Sequence, residues 1–170
     1  MGKKVRLLIP EKRIRKRVKE LAEQISKDYQ KKELNLIVVL KGGFLFGAEL
    51  MRYLKIPLRV HFLAAKSYIG KTSSEKVEIH FLEKKEIKGK NILIVEDILE
   101  TGLTLKKIIK YLKRFGPKEI KTCVLLEKKI STNETIKVNY LGFKIGNKFV
   151  VGYGMDFEEK FRNLSYIGYI

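Results

Sequence analysis

Short apolar runs alternate along this chain with segments in which apolar residues recur every three or four positions. Strands that are covered on both faces have continuous apolar runs of this kind, often rich in β-branched residues. The predicted strands cover residues 5–9, 36–40, 58–64, 77–82, 92–95 and 120–126, and two short aromatic strands are predicted over 140–143 and 149–153. Helical spacing predicts amphipathic helices over 11–31 and 44–54, and a further helix that includes 105–112. Strands that alternate with helices predict an α/β fold, with a mainly parallel twisted sheet flanked by helices.

The composition is that of one folded globular domain. A chain of 170 residues is long enough for one hydrophobic core and short for two, and no internal repeat divides it. We therefore predict a single domain over residues 1–170. An apolar content of 45% with 33% charged residues excludes an intrinsically disordered chain. Cys123 is the single cysteine, so an intramolecular disulfide is excluded, and its apolar neighbours indicate a core position.

The sequence has no membrane signal but carries a large positive charge. No apolar stretch approaches the roughly 20 residues of a membrane-spanning helix, and the N-terminus has no apolar signal core. We expect a cytoplasmic protein without a membrane partner. The net charge of +18 suits nucleic acid, a polyanionic small substrate or lysines on solvated faces, and charge alone does not choose among them. Basic helix faces lie at 13–19 and 106–114.

Residues 91–105 carry the most distinctive chemistry of the chain. Glu96 and Asp97 follow the apolar run, and unpaired acids near a core are costly. The next polar positions are Glu100, Thr101, Gly102 and Thr104, and a predicted helix follows them. A strand, a short glycine-containing loop and a helix start bring backbone amides together around an anion. Acids beside them can accept hydrogen bonds from sugar hydroxyls, so the stretch predicts a site for a phosphorylated sugar.

A second strand-to-helix turn, Lys41-Gly42-Gly43, offers a mobile cation and exposed amides to another anion. An ordinary tight turn explains the same three residues equally well. In α/β folds, binding sites lie beyond the carboxyl ends of the parallel strands. The residues that directly follow predicted apolar strands are Lys41, Glu96, Asp97 and Lys128. We therefore expect all of them on one rim of the sheet.

The stretch 91–105 resembles the phosphoribosyl-diphosphate loop of the type I phosphoribosyltransferases, in its hypoxanthine-guanine form. Residues 39–46 look like the diphosphate-binding loop of the same family, and the resemblance extends from about residue 36 to 168. It implies the family's fold, with a small hood formed by the chain ends, Mg²⁺ as cofactor, and a homodimer or homotetramer. The implied reaction is attack of a purine nitrogen on C1 of 5-phosphoribosyl 1-diphosphate, with loss of diphosphate.

The resemblance also implies roles for the positions that would hold the sugar diphosphate. Glu96 and Asp97 would accept hydrogen bonds from the ribose hydroxyls. The residues around the 5-phosphate would be Thr101, Gly102 and Thr104. The residues that meet the diphosphate would be Lys41, Gly42 and Arg162. In the metal site the resemblance places Glu96, Asp97 and Asp156.

For the purine, the resemblance implies a second set of residues. Lys128 would donate to the 6-oxo group, Phe149 would stack on the ring, and Val150 would offer its backbone to the base edge. Asp156 matches an acid next to the base and to a magnesium-bound water. Glu100 stands where the family has an aspartate that removes the purine proton, and its extra methylene alters the reach of the carboxylate. We assign the general base to Glu100.

The polar segment from 66 to 76 lies between two predicted strands. The resemblance identifies it as the lid that closes over the reacting centre, with Ser67 and Tyr68 as its most recognisable pair. Glu75 stands where family members commonly have glycine, and this departure bears on the flexibility of the lid.

We favour an enzyme of purine salvage that acts on hypoxanthine and guanine, and two alternative functions remain open. A nucleotide-sensing RNA-binding regulator on the same fold would explain the charge of +18. Such a regulator would not need Lys128, Phe149 and Asp156, so we do not expect nucleic acid as a partner. A related phosphoribosyltransferase that prefers xanthine would use the same set of residues.

Overall fold

A mostly parallel sheet forms the centre of the molecule. The structure is a computed structural model, which describes residues 4–66, 78–80, 84–128 and 136–170. The strands of this sheet are β2 (Leu34–Leu40), β3 (Leu58–Lys66), β4 (Glu78–His80), β5 (Asn91–Leu99), β6 (Glu119–Lys128) and β7 (Tyr140–Ile145). Their order across the sheet is β4-β3-β2-β5-β6-β7. Neighbouring strands pair in parallel, except that the edge strand β4 is antiparallel to β3.

Helices cover both faces of the sheet. The helices α1 (Glu11–Asp28) and α2 (Phe44–Tyr53) pack on one face, and α3 (Leu103–Lys113) packs on the other. Successive side chains of a strand point to opposite faces, so β2 contributes to both cores. Leu36 and Val38 join the core beneath α1 and α2, whereas Ile37 and Val39 join the core beneath α3. The predicted α/β architecture is confirmed.

The two ends of the chain meet in a second, antiparallel sheet. It consists of β1 (Arg6–Ile9), β8 (Val150–Val151) and β9 (Ile167–Tyr169), in the order β1-β9-β8. The hood that the family resemblance implied is therefore present. The extended segment stops after β8 because the next three residues have φ values of 94°, 49° and 97° at Gly152, Tyr153 and Gly154. Tyr153 and Ile167 are buried and join the core beneath α1 and α2.

Two strands extend further than their apolar runs predict. β5 continues through Glu96 and Asp97 to Leu99 and stays paired with β6. Lys128 is the last residue of β6 instead of the residue after it. The expectation that these side chains follow their strands is therefore wrong, because the hydrogen bonds of a ladder join backbone groups and do not require apolar side chains. Lys41 does follow β2 directly, as predicted.

The predicted lid lies outside the described residues, and Ser67, Tyr68 and Glu75 are all in that gap. Of the strand predicted over 77–82, the structure describes the part Glu78–His80 as β4. The helices agree with their predicted positions, except that α1 ends at Asp28. Within the described segments, no helix is long and apolar enough to cross a membrane.

Candidate active site

Two cavities lie side by side at the carboxyl ends of the central strands. One, of about 380 Å³, is bounded by the ends of β2 and β5 and by the loop that leads into α3. The other, of about 760 Å³, lies between this rim and the hood. The residues that line both cavities are Leu40, Gly42, Asp97, Ile98 and Glu100. Because they share these walls, the two cavities form one site with room for a ligand of several parts.

The acid pair on β5 stands at the junction of the two cavities. Glu96 is buried and Asp97 is half-buried. Burial raises the pKa of Glu96 well above its usual value, and the neighbouring charge of Asp97 raises it further. Burial also raises the pKa of Asp97, although hydrogen bonds from Glu96 and from backbone amides oppose that increase, as does the positive charge of Arg162. Such a pair is stabilised by any ligand that brings hydroxyl donors or a cation.

Gly42 lets the backbone of the turn after β2 approach the acid pair. A Cβ atom at this position would lie 1.9 Å from Oδ2 of Asp97, where no carbon atom fits. At Gly43, a Cβ atom would lie 2.6 Å from the carbonyl oxygen of Val39. Both positions therefore require glycine, because neighbouring atoms lie too close to the backbone to leave room for a side chain. The peptide bond between Leu40 and Lys41 is cis. The turn brings its backbone amides next to Asp97.

The loop between β5 and α3 has the form expected of an anion site. Gly102 is the N-cap of α3 and has a φ of 78°, which favours glycine. Glycine has no side chain with which to cap the helix, so the first turn of α3 can offer backbone amides to a ligand, although the amide of Leu103 already donates to Oγ1 of Thr101 at 3.4 Å. Thr101 is exposed and Thr104 is half-buried, and both line the smaller cavity. The predicted phosphate-binding residues are thus together at one wall.

Four charged side chains connect the turn after β2 with the hood. Lys41 Nζ donates to the two carboxylate oxygens of Glu159 at 3.1 and 3.2 Å. Arg162 Nη2 is 2.8 Å from Oδ1 of Asp156 and 3.2 Å from Oε2 of Glu159. Arg162 Nη1 also donates to the carbonyl oxygen of Gly154 at 2.8 Å, while its buried Nε has no partner. The two predicted diphosphate-binding cations therefore share one wall of the larger cavity.

The predicted purine-binding residues line the same cavity. The side chain of Lys128 is only 8% exposed, and its Nζ is paired with the carboxylate of Glu100. Phe149 is exposed and packs against Phe157 in a T-shaped arrangement, with ring centroids 5.6 Å apart. The side chain of Val150 is buried, so only its backbone can meet a ligand. A planar base therefore has an aromatic face and a charged edge available to it.

The structure brings nearly all of the predicted site residues together. The exceptions are Ser67 and Tyr68, which lie outside the described residues. Asp156 lines the larger cavity but is paired with Arg162, and among the described residues no group of three metal-binding side chains is present. Any metal ion here would thus need ligand oxygens and water in addition to the carboxylates.

Sequence reasoning missed Glu159, which contacts both Lys41 and Arg162. It also missed Met155, which forms part of the cavity wall. Glu159 is an exposed acid in a charged segment, and Lys41 lies 118 residues away in the sequence. No local pattern identifies such a contact, because it forms only where the fold brings the segment between β8 and β9 next to the end of β2.

Comparisons with known proteins give one consistent result. Residues 9–158 match the family model of the phosphoribosyl transferase domain. The hypoxanthine-guanine phosphoribosyltransferase of Aquifex aeolicus is 43% identical over 165 residues, which cover 96% of this chain and 93% of the relative. The hypoxanthine phosphoribosyltransferase of Haemophilus influenzae is 41% identical, with 96% and 94% covered. A crystal structure of a hypoxanthine-guanine phosphoribosyltransferase from Bacillus anthracis superposes with a TM-score of 0.90 at 38% identity, covering 98% of this chain and 99% of that one.

Proposed function

The chain belongs to the phosphoribosyl transferase family, and we propose that it transfers the phosphoribosyl group of 5-phosphoribosyl 1-diphosphate to hypoxanthine and guanine. The protein is thus a transferase of purine salvage. One observation carries the proposal: the loop that leads into α3, the acid pair, and Lys128 with Phe149 line two adjoining cavities that share their walls. The products would be the purine nucleotide and diphosphate.

The sugar phosphate fits the smaller cavity. The first amides of α3 and the hydroxyls of Thr101 and Thr104 would donate to the 5-phosphate. Glu96 and Asp97 would accept from the ribose 2- and 3-hydroxyls, and these donors would satisfy carboxylates that burial otherwise destabilises. The sugar would then be fixed at both ends, so that C1 faces the larger cavity.

The diphosphate would lie between the turn after β2 and the hood. Lys41 and Arg162 would bind it there, and the amides next to Gly42 would add donors. These groups would stabilise the negative charge that develops on the diphosphate as the bond to C1 breaks. We propose that Glu96, Asp97 and Asp156 would hold Mg²⁺ here, and that the ion would further stabilise the charge that develops on the diphosphate.

The paired side chains Glu100 and Lys128 match one edge of a 6-oxopurine. The 6-oxo oxygen is a hydrogen-bond acceptor, and N7 beside it carries a proton that must leave during the reaction. Lys128 would donate to the oxygen, and Glu100 would accept the N7 proton as the general base. Phe149 would hold the ring by stacking, which places the attacking nitrogen toward C1. Adenine, with an amino group at this edge, would leave Lys128 without an acceptor.

A screen of diphosphate release tests the proposal. The purified protein is incubated with phosphoribosyl diphosphate, Mg²⁺ and one of five bases: hypoxanthine, guanine, xanthine, adenine or uracil. We expect rapid release with hypoxanthine and guanine only. Release with adenine at a comparable efficiency would reject the base-site assignment, and preferential use of xanthine would establish the related specificity. Absence of release with every base would reject the proposed reaction.

A nucleic-acid-binding function gains no support from the described site. Assembly into a homodimer or homotetramer and a cytoplasmic location stay predictions. Sedimentation velocity measures the assembly directly.

A further inference from the structure

Glu159 ties together the two cations that would bind diphosphate. Its carboxylate accepts hydrogen bonds from Lys41 at 3.1 and 3.2 Å and from Arg162 at 3.2 Å. Lys41 belongs to the turn after β2, whereas Arg162 lies in the segment between β8 and β9, the two strands of the hood that follow the main sheet. The carboxylate therefore lies where the anionic oxygens of a diphosphate between these cations would have to be. The hydrogen bond from Lys41, and to a lesser extent the one from Arg162, lowers the pKa of Glu159.

The backbone that presents Glu159 is held in an unfavourable conformation. Phe157 and Lys160 form a tight bridge, with hydrogen bonds of 3.1 and 3.0 Å in the two directions. The two residues at the tip, Glu158 and Glu159, have φ values of 52° and 61°, a region that tight turns normally fill with glycine or asparagine. The amide of Glu159 is fixed by Oδ2 of Asp156 at 2.9 Å. Surroundings that retain two glutamates in this conformation indicate a function for at least one of them.

The second acid of the network differs from Glu159 in exposure. Asp156 is 29% exposed and binds Arg162 directly at 2.8 Å, whereas Glu159 is 66% exposed. Lys41 is also exposed, at 65%. Ion pairs between exposed side chains are weak, so Glu159 can leave its partners at a small cost while Asp156 keeps Arg162 in place.

We propose that Glu159 occupies the diphosphate position when that position is empty, and that an incoming diphosphate group displaces it. The inference rests on the proposed function, because it assumes that Lys41 and Arg162 bind diphosphate. Two anions cannot share these cations without repulsion, so the carboxylate has to turn toward solvent when the ligand binds. Glu159 would therefore weaken the binding of the sugar diphosphate and of the diphosphate product, and it would assist product release by pairing again with the cations.

Two matched variants test this role, Glu159→Gln and Glu158→Gln. Both remove one negative charge from the tip of the same turn, but only Glu159 pairs with Lys41 and Arg162. Calorimetric titration with diphosphate and with phosphoribosyl diphosphate, each in the presence of Mg²⁺, gives the dissociation constants. We expect Glu159→Gln to bind both ligands about two- to thirty-fold more tightly, the range for the loss of two such ion pairs, and Glu158→Gln to match the wild type.

Steady-state kinetics provides a readout that a purely structural role would not change. In Glu159→Gln, KM for phosphoribosyl diphosphate should fall with the dissociation constant, kcat should not rise, and KM for the purine should stay unchanged. Unchanged or weaker diphosphate binding in Glu159→Gln would overturn the inference, as would an equal gain in Glu158→Gln. Failure of the proposed function is a separate result: the wild type would form no nucleotide with any base.

Discussion

Replacement of Lys128 by methionine removes the ammonium group that we assign to recognition of the 6-oxo group. Methionine keeps an unbranched chain of similar length in a position where the lysine side chain is 8% exposed. A hydrogen bond from a charged donor contributes about 1.5–3 kcal/mol, so kcat/KM for hypoxanthine should fall about 10- to 150-fold. Adenine has no acceptor for Lys128, so its efficiency should change little. Selectivity for hypoxanthine over adenine should therefore fall from ~10⁴ to a value between ~10³ and ~10².

The same structure predicts that Lys128→Met remains folded. The carboxylate that loses its partner belongs to Glu100, which is 48% exposed and can turn to water. We expect a change in unfolding free energy within about 1 kcal/mol, which is the usual range for a pair with one exposed member. Thermal unfolding measures this change. Lys144→Met is the matched control. Lys144 is 77% exposed, its Nζ lies 3.6 Å from Oε2 of Glu127, and neither residue lines the cavity of the base site.

The assay is initial-rate kinetics with saturating phosphoribosyl diphosphate and with hypoxanthine, guanine and adenine in turn. Phe149→Ala serves as a second comparison, because stacking on its exposed ring does not distinguish oxo from amino purines. It should lower the efficiency of all three purines by a similar factor. If folded Lys128→Met keeps its selectivity for hypoxanthine over adenine, the role assigned to Lys128 is refuted.

Three further predictions concern the reacting centre. Glu100→Gln should lower kcat by roughly 10²-fold or more with sugar-diphosphate binding nearly intact, and a change of only a few-fold would exclude Glu100 as the base. Chelation of Mg²⁺ should abolish transfer and its addition restore it, whereas full activity in excess chelator would reject the metal role. Gly42→Ala should displace Asp97 and weaken sugar-diphosphate binding at least ten-fold by calorimetry, as a lost charge-assisted hydrogen bond would. Gly146→Ala is the control, because a Cβ atom added at Gly146 would have no atom within 4 Å, and this variant should bind the sugar diphosphate like the wild type.

The elements of the sheet were predictable because one period holds along each of them. The run 36–40 is apolar at every position, and the structure buries β2 between two cores. In α3, the residues at helical spacing are the ones that pack on the sheet. The same reasoning failed at the end of β5, since an apolar pattern stops at Glu96 although the backbone ladder continues to Leu99. It also overlooked β9, whose three residues are too few to show a period.

Among the site residues, those that a single loop brings together could be predicted from the chain alone. Glu96, Asp97, Thr101 and Thr104 lie within one strand-loop-helix unit, and the structure places them around one cavity. Their positions depend on the local course of the backbone, which turns from β5 into α3 at Gly102, where φ is 78°.

The pairing of charges was decided by the tertiary structure. Glu100 meets Lys128 because β6 lies beside β5 in the sheet, which brings two residues 28 positions apart into contact. Lys41 and Arg162 meet Glu159 because the chain ends close into a hood above the end of β2. A sequence pattern reports which face of an element is buried, whereas the partner of an exposed charge depends on strand order and on the path of the returning chain. Local residue types therefore determined the loop to which we assign the 5-phosphate, and only the assembled fold determined which cations pair with Glu159.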